Sequence, residues 1–243
     1  MQVRGGPVVS RGRYRSMVLQ DNPVGYWPLS ETAGNFLDVT ANGNNGTPAG
    51  NLTRGVSPGP ISGDSTACVQ EIDLTGRISF ADIATLKPAT FTLEAWIKSI
   101  VVGTTFDTPL GNCSSNAFSD GYGFMYRTGL GLGFWTSKYD GAAGHGFMAY
   151  DNNQYTNDGL WHHYVGTYDG PSFTTSLYRD GSLQSSGISI AMVYAASTLA
   201  FFTFNANWPI NSPLGQIAIY NYVLTPGQIQ QHYLLGKSAL IQV

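Results

Sequence analysis

The sequence predicts an all-β protein, and three observations carry that prediction. Trp161 to Tyr168 and Phe173 to Arg179 are two runs rich in aromatic and β-branched residues, joined by Asp169-Gly170-Pro171 and closed by Asp180-Gly181. Within the first run His163, Val165 and Thr167 alternate with Tyr164, Gly166 and Tyr168, the period-two pattern of a strand. Similar short runs, punctuated by Gly, Asn and Asp, recur along the chain, and only the segment from Leu224 to Tyr233 has a good helical pattern.

The elements follow in order. Residues 1 to about 15 form a basic arm broken by Gly5-Gly6-Pro7 and Gly12, and Tyr14 to Leu19 makes a short helical turn. Asp21-Asn22-Pro23 punctuates the chain before a first strand from Tyr26 to Leu29, where Pro28 marks an edge or a strand end. The loop Asn42-Gly43-Asn44-Asn45-Gly46-Thr47 allows left-handed backbone and turns carbonyl oxygens inward. Residues 51–66 read as loop. Strands are expected at Cys68 to Leu74, Arg77 to Phe80 and Thr90 to Ser99. In the last of these Phe91, Leu93, Ala95 and Ile97 share one face, while Glu94 and Trp96 share the other. Residues 101–120 read as an excursion between strands. Gly121 to Tyr126 and Leu130 to Trp135 form a hairpin turned near Thr128-Gly129, and Phe147 to Tyr150 is a short strand. Ile188 to Val193, Leu199 to Phe204 and Leu214 to Asn221 complete the strands. Thr225 caps the closing helix, with Pro226 at its first position. The simplest partition is an arm over 1–20 and one β domain over 21–243.

Charged residues make up only 11% of the 243, against roughly 25% in an ordinary soluble domain. The surface is therefore built of Ser, Thr, Asn, Gln and Gly, a style suited to life outside the cytoplasm or on particles. Arg4, Arg11, Arg13 and Arg15 supply four of the twelve basic residues, and they read as an assembly arm. The rest of the chain offers no continuous phosphate-binding track, so no nucleic acid is expected. The N-terminus lacks the apolar run of a signal peptide, and no stretch is long and apolar enough to span a membrane. Cys68 and Cys113 form either one bridge or two buried thiols.

These segments together resemble a known family. Tyr26-Trp27-Pro28-Leu29 with Glu31, Asp38 and the Asn42 to Thr47 loop look like its opening signature. Phe91 to Ile97 resembles its central strand, Trp161-His162-His163-Tyr164-Val165 with Tyr178-Arg179-Asp180-Gly181 its hairpin, and Gly215 to Tyr220 with Leu224-Thr225-Pro226 and Ile229 its closing strand and helix. The match, over about residues 21–235, is to the laminin-G-like, concanavalin A-like lectin/glucanase superfamily. The resemblance implies a jelly-roll sandwich of two curved antiparallel sheets with a calcium-prone loop region. Such modules bind glycans or proteins, in secreted proteins and in phage structural proteins. The segment from Tyr14 to Leu29 looks like the phage versions. Gln216 and Ala218 stand where family members often carry an acidic pair, which weakens the expected ion site.

Candidate sites follow from this reading. Asp38 with Gly43 and Asn45 is the place for a calcium ion, which takes six to eight oxygens; the alternative is a loop whose side chains satisfy their own backbone. Trp135, Tyr139, Tyr155 and Trp208 are candidates for stacking a sugar, with packing the alternative for each. No enzyme is expected. A glycosidase needs two carboxylates about 5 Å or about 6.5–9.5 Å apart. The chain has only Glu31, Glu71 and Glu94 as glutamates, and the one same-face acidic pair, Glu71 and Asp73, stands without a third acid. His162 and His163 point to opposite faces of their strand, and His145 and His232 are too scattered to complete a metal site with them.

The expected function is a non-catalytic virion structural or decoration protein at the virion surface. Its partners would be other virion proteins or its own copies, and its jelly roll could adhere to host glycans. The alternative is a calcium-assisted carbohydrate-binding lectin module of an extracellular protein.

Overall fold

The structure, a computed structural model, describes residues 12–62, 67–98, 106–114, 118, 120–137, 146–151, 158–203 and 209–237. In chain order the elements are α1 (Arg13–Gln20), β1 (Gly25–Trp27), β2 (Thr47–Ala49), β3 (Leu52–Val56), β4 (Cys68–Glu71) and β5 (Arg77–Ser79). There follow β6 (Phe91–Lys98), β7 (Phe106–Asn112), β8 (Tyr122–Arg127), β9 (Gly131–Thr136), β10 (Phe147–Tyr150), β11 (Trp161–Asp169) and β12 (Thr174–Arg179). β13 (Ser182–Ile188), β14 (Leu199–Phe201), β15 (Pro213–Tyr220) and α2 (Pro226–Lys237) close the chain.

The strands form two antiparallel sheets. The eight-stranded sheet runs β13-β12-β11-β6-β15-β4-β3, with β1 also paired to β15; the seven-stranded sheet runs β10-β9-β8-β7-β14-β5-β2. Two amphipathic sheets bury their apolar faces most completely by stacking on each other, and the core lies between them. Phe91, Leu93, Ala95 and Ile97 of β6 enter it as the alternation predicts, beside Trp27, Ile217 and Ile219 and against Tyr122, Phe124, Leu132, Phe134 and Phe201. Each large side chain buried there contributes about 1.5–3 kcal/mol.

β6 is covered on its other face as well. Along β6 only Lys98, at the end of the strand, is not buried. Glu94 and Trp96 point away from the sandwich core and into a second cluster under α1 and α2, formed with Tyr14, Val18, Tyr26, Tyr220 and Ile229. Gly236 lets α2 lie directly on the Trp96 ring, since a Cβ there would sit 2.2 Å from Trp96 Cζ2. Trp96 is thus packed between β6 and α2.

The helix expected within the 1–20 arm forms as α1 and packs on the sheet, with Tyr14 and Val18 buried. Three sequence expectations change. β3 lies inside the stretch read as loop; its short run holds Gly55 at φ 68 and pairs irregularly with β4, which hides the alternation. β7 lies inside the expected excursion, because Pro109 breaks its pattern and falls within the register shift between Asp107 and Leu110, where a strand tolerates proline. The strand expected from Ile188 to Val193 does not form beyond Ile188; β13 instead runs over Ser182–Ile188. As an edge strand of polar residues it has no apolar face to read. Cys68 and Cys113 are buried thiols and form no disulfide.

Candidate functional site

The Asn-Gly loop is closed by its own hydrogen bonds. Asp38 Oδ1 accepts the backbone N–H of Tyr26 at 3.0 Å and of Thr40 at 2.9 Å, and Oδ2 accepts that of Asn44 at 2.9 Å. Asn45 Oδ1 accepts the Asp38 N–H at 3.0 Å, and the Gly43 carbonyl accepts the Asn45 N–H at 2.8 Å. The Asn44 carbonyl accepts the Trp27 indole N–H. Gln216, in the position where a family acid is often found, accepts the Tyr26 hydroxyl instead. Calcium fits this loop poorly, because its oxygens already serve backbone donors. Among the described residues no group of three or more His, Cys, Asp or Glu is placed to hold a metal ion.

The stacking candidates fare differently from one another. Trp135 is fully buried, which corrects its expected role as a sugar platform. It lies on the outer face of the seven-stranded sheet, over Gly123, where a Cβ would sit 2.2 Å from its ring, and against Phe118 at 5.1 Å. Met125 and Met148 complete its surroundings. Tyr139, Tyr155 and Trp208 lie outside the described residues, as do Arg4 and Arg11. Arg13 and Arg15 are exposed on α1. Glu71 and Asp73 do not face a groove: Glu71 Oε1 accepts the N–H groups of Asp73, Thr75 and Gly76, and Asp73 bonds Thr75 and Asn51. Those bonds from Thr75 and Asn51 hold the exposed Asp73 carboxyl down to about 2.

The structure gathers other groups that the sequence left scattered. Beneath α1 and α2, Glu94 is wholly buried and takes four hydrogen bonds. Oε1 accepts from the Tyr14 hydroxyl at 2.5 Å and pairs with His163 Nε2 at 2.8 Å. Oε2 accepts from the Tyr220 hydroxyl at 3.0 Å and pairs with His232 Nδ1 at 2.9 Å. His232 Nε2 reaches Asp21 at 3.0 Å, and the Trp96 indole donates to the Tyr14 hydroxyl at 3.0 Å. Burial works against charge here, but His232 and His163 outweigh it at Glu94, whose carboxyl is held well below the usual range. Burial likewise opposes the charge on His232, and Glu94 and Asp21 overcome it, raising its pKa above the ordinary histidine value. Both shifts describe one ion pair, sealed from solvent.

A second group lies at the mouth of the sandwich, where β10, β11 and β12 end or begin. His162 is bracketed by Asp180 at 2.6 Å and Asp158 at 2.9 Å. Burial opposes its charge, and the two carboxylates overcome that and raise its pKa. Next to it, Asp151 Oδ2 accepts from Arg179 Nη1 at 3.1 Å and from the Tyr164 hydroxyl at 3.3 Å. Asp151 is 1% exposed. Burial, only partly offset by Arg179, raises its pKa. Its Oδ1 has no hydrogen-bond partner. Sequence reading missed both groups. The only available signal was the parity that put Glu94 with Trp96 and split His162 from His163.

No described helix is long and apolar enough to cross a membrane. No match to a curated protein sequence was found. Among solved structures, the binding domain of Paraclostridial Mosquitocidal Protein 1 aligns with a TM-score of 0.63 at 15% identity, over 88% of this chain and 52% of that one. The chain thus spans about half the length of that toxin domain. Domain 4 of AbnA, a GH43 extracellular arabinanase from Geobacillus stearothermophilus solved with arabinotriose, aligns with a TM-score of 0.64 at 17% identity, over 87% and 98%. Trypanosoma rangeli sialidase aligns with a TM-score of 0.61 at 17% identity, over 87% of this chain and 32% of the enzyme. At these identities the likeness is one of fold. A laminin-G sequence model matches residues 73–230, more than half of the chain. The chain belongs to the concanavalin A-like lectin/glucanases superfamily.

Proposed function

We propose that this chain is a carbohydrate-binding module that does no chemistry on what it binds. One observation carries the reading: the fold aligns over nearly the whole of a domain solved with arabinotriose, while Glu94, Asp38, Glu71 and Asp120 are tied to turns and helices. Glu94 serves the helices, Asp38 and Glu71 serve loops, and Asp120 accepts Ser114 and Ala195. An acid committed to several internal donors is not available as a general acid or nucleophile. A glycan array, followed by calorimetry with and without a chelator, tests this. Binding to at least one glycan family without release of reducing ends is expected. Failure to bind any glycan sinks the reading, and hydrolysis sinks its second half. Because the Asp38 loop is self-satisfied, the chelator is expected to leave affinity unchanged.

Attachment to a virion is the second reading. It is favoured by Arg13 and Arg15, which stay exposed although Tyr14 and Val18 dock the same helix. Two guanidinium groups held on a fixed helix suit an acidic partner surface. Light scattering of the wild type and of the double variant Arg13→Glu/Arg15→Glu tests it: an oligomer lost in the variant supports it, and a monomer in both removes self-assembly.

A further inference from the structure

We propose that the mouth of the sandwich, where Asp151, Tyr164, Arg179 and His162 meet, is a binding subsite for a neutral sugar, with Asp151 Oδ1 accepting one of its hydroxyls. The inference rests on the carbohydrate-binding reading and adds the place where a sugar is held.

The first support is an unfilled acceptor. Asp151 is 1% exposed and directs one oxygen at Arg179 and Tyr164, yet its other oxygen has no donor. A buried acceptor without a donor costs free energy, which a ligand hydroxyl would recover. The Glu94 network, equally buried, leaves neither carboxylate oxygen empty.

The second support is charge. Asp158 and Asp180 on His162, with Asp151 on the neighbouring Tyr164, work against an anion. Arg179, and His162 when protonated, work against a cation. What suits the site is a neutral group rich in hydroxyl donors, and a sugar is that group. A metal ion is disfavoured by the same guanidinium.

The third support is the rim. Asp158 and Asp180 leave 24% and 26% of their side chains exposed while they bracket His162. Asp151 lies just inside, since the ring of Tyr164, which bonds it, is 6.1 Å from that of His162. Asp151 is shut off from water in the free chain, so a sugar must part this rim to reach it. Polar contacts near solvent are cheap to exchange, because water replaces them. Binding is therefore coupled to the surroundings of His162.

Calorimetry with the methyl glycosides of arabinose, galactose and glucose, on the wild type and on Asp151→Ala, tests the site. A loss of affinity of about tenfold or more is expected, as for a hydrogen bond to a charged acceptor. Should the alanine variant fold poorly, Asp151→Asn keeps the shape while removing the charge. In the wild type, the ring signals of His162 in NMR spectra are expected to move on addition of the same glycosides. Equal affinity in a folded Asp151 variant, or glycoside binding with His162 unmoved, overturns the subsite and leaves the binding reading intact. If the wild type takes none of the three, the subsite falls. Array binding then decides the wider reading separately.

Discussion

Two histidines in this chain sit between two carboxylates, and they do so in opposite settings. His232 lies between Glu94 and Asp21 under two helices, with Glu94 wholly buried and both of its oxygens filled. His162 lies between Asp158 and Asp180 at the rim of the sandwich, beside a carboxylate with an empty oxygen. The chemistry is the same and the solvent is not. Sealed, with both Glu94 oxygens filled, such a cluster fixes where α1 and α2 dock. At the rim, its contacts exchange with water and so with a ligand. Burial, more than residue identity, separates a structural cluster from one that can bind.

The sharpest test of that contrast is Glu94→Gln. It breaks the buried Glu94–His232 pair and leaves His232 only its bond to Asp21, which costs about 3–5 kcal/mol, and denaturant unfolding should show a stability loss of that size. A near-neutral outcome would mean that the sealed network is no more than the rim cluster in energetic terms. Tyr14→Phe is the next largest. It removes one hydrogen bond to Glu94 and leaves the Trp96 indole without an acceptor, at about 1–2 kcal/mol. Hydrogen exchange across α1 should accelerate in that variant, and unchanged protection would show that the helix is held by packing alone.

The pH dependence separates the members of the sealed pair. His232 is raised from 6.5, so its contribution is fully present below that unfolded value and is lost as pH rises through the folded value. Glu94 is lowered from 4.5, so its contribution is present above that value and lost as pH falls toward the folded one. The pair therefore stabilises most between the two unfolded values, and the urea midpoint should fall as pH rises above 6.5 and through the raised folded value of His232. A midpoint that drops equally in His232→Gln would assign the change to other groups. The smallest effect is expected from Asp158→Asn at the rim, within about 1 kcal/mol. A larger loss, measured in the same unfolding experiment, would mean that the rim is not free to exchange.

Much of the architecture was legible in residue patterns. The alternation of β6 assigned Phe91, Leu93, Ala95 and Ile97 to the core, and the β8–β9 turn and α2 are where turn and capping residues put them. Elements with irregular pairing or a single paired edge were not legible: β3, β7 and β13 carry a glycine in left-handed backbone, an internal proline, or no apolar face. The stacking role of Trp135 failed for a related reason. A tryptophan near a strand end reads the same whether its face meets solvent or another side chain, and here Phe118, Met125 and Met148 cover it.

The sequence by itself determined that the chain is all-β with a capping helix, because side-chain periodicity and turn chemistry are local properties; the two-sheet sandwich was what its family resemblance implied. It also determined that His162 and His163 could not share a site. Only the tertiary structure decided which acids and histidines meet. Glu94 finds Tyr14, His163, Tyr220 and His232 across separations of 80, 69, 126 and 138 residues, and Asp151 meets Arg179 across 28. No local pattern encodes such encounters. They are set by which strands pair and how the helices dock, and the same packing decides which carboxylate oxygen is left empty.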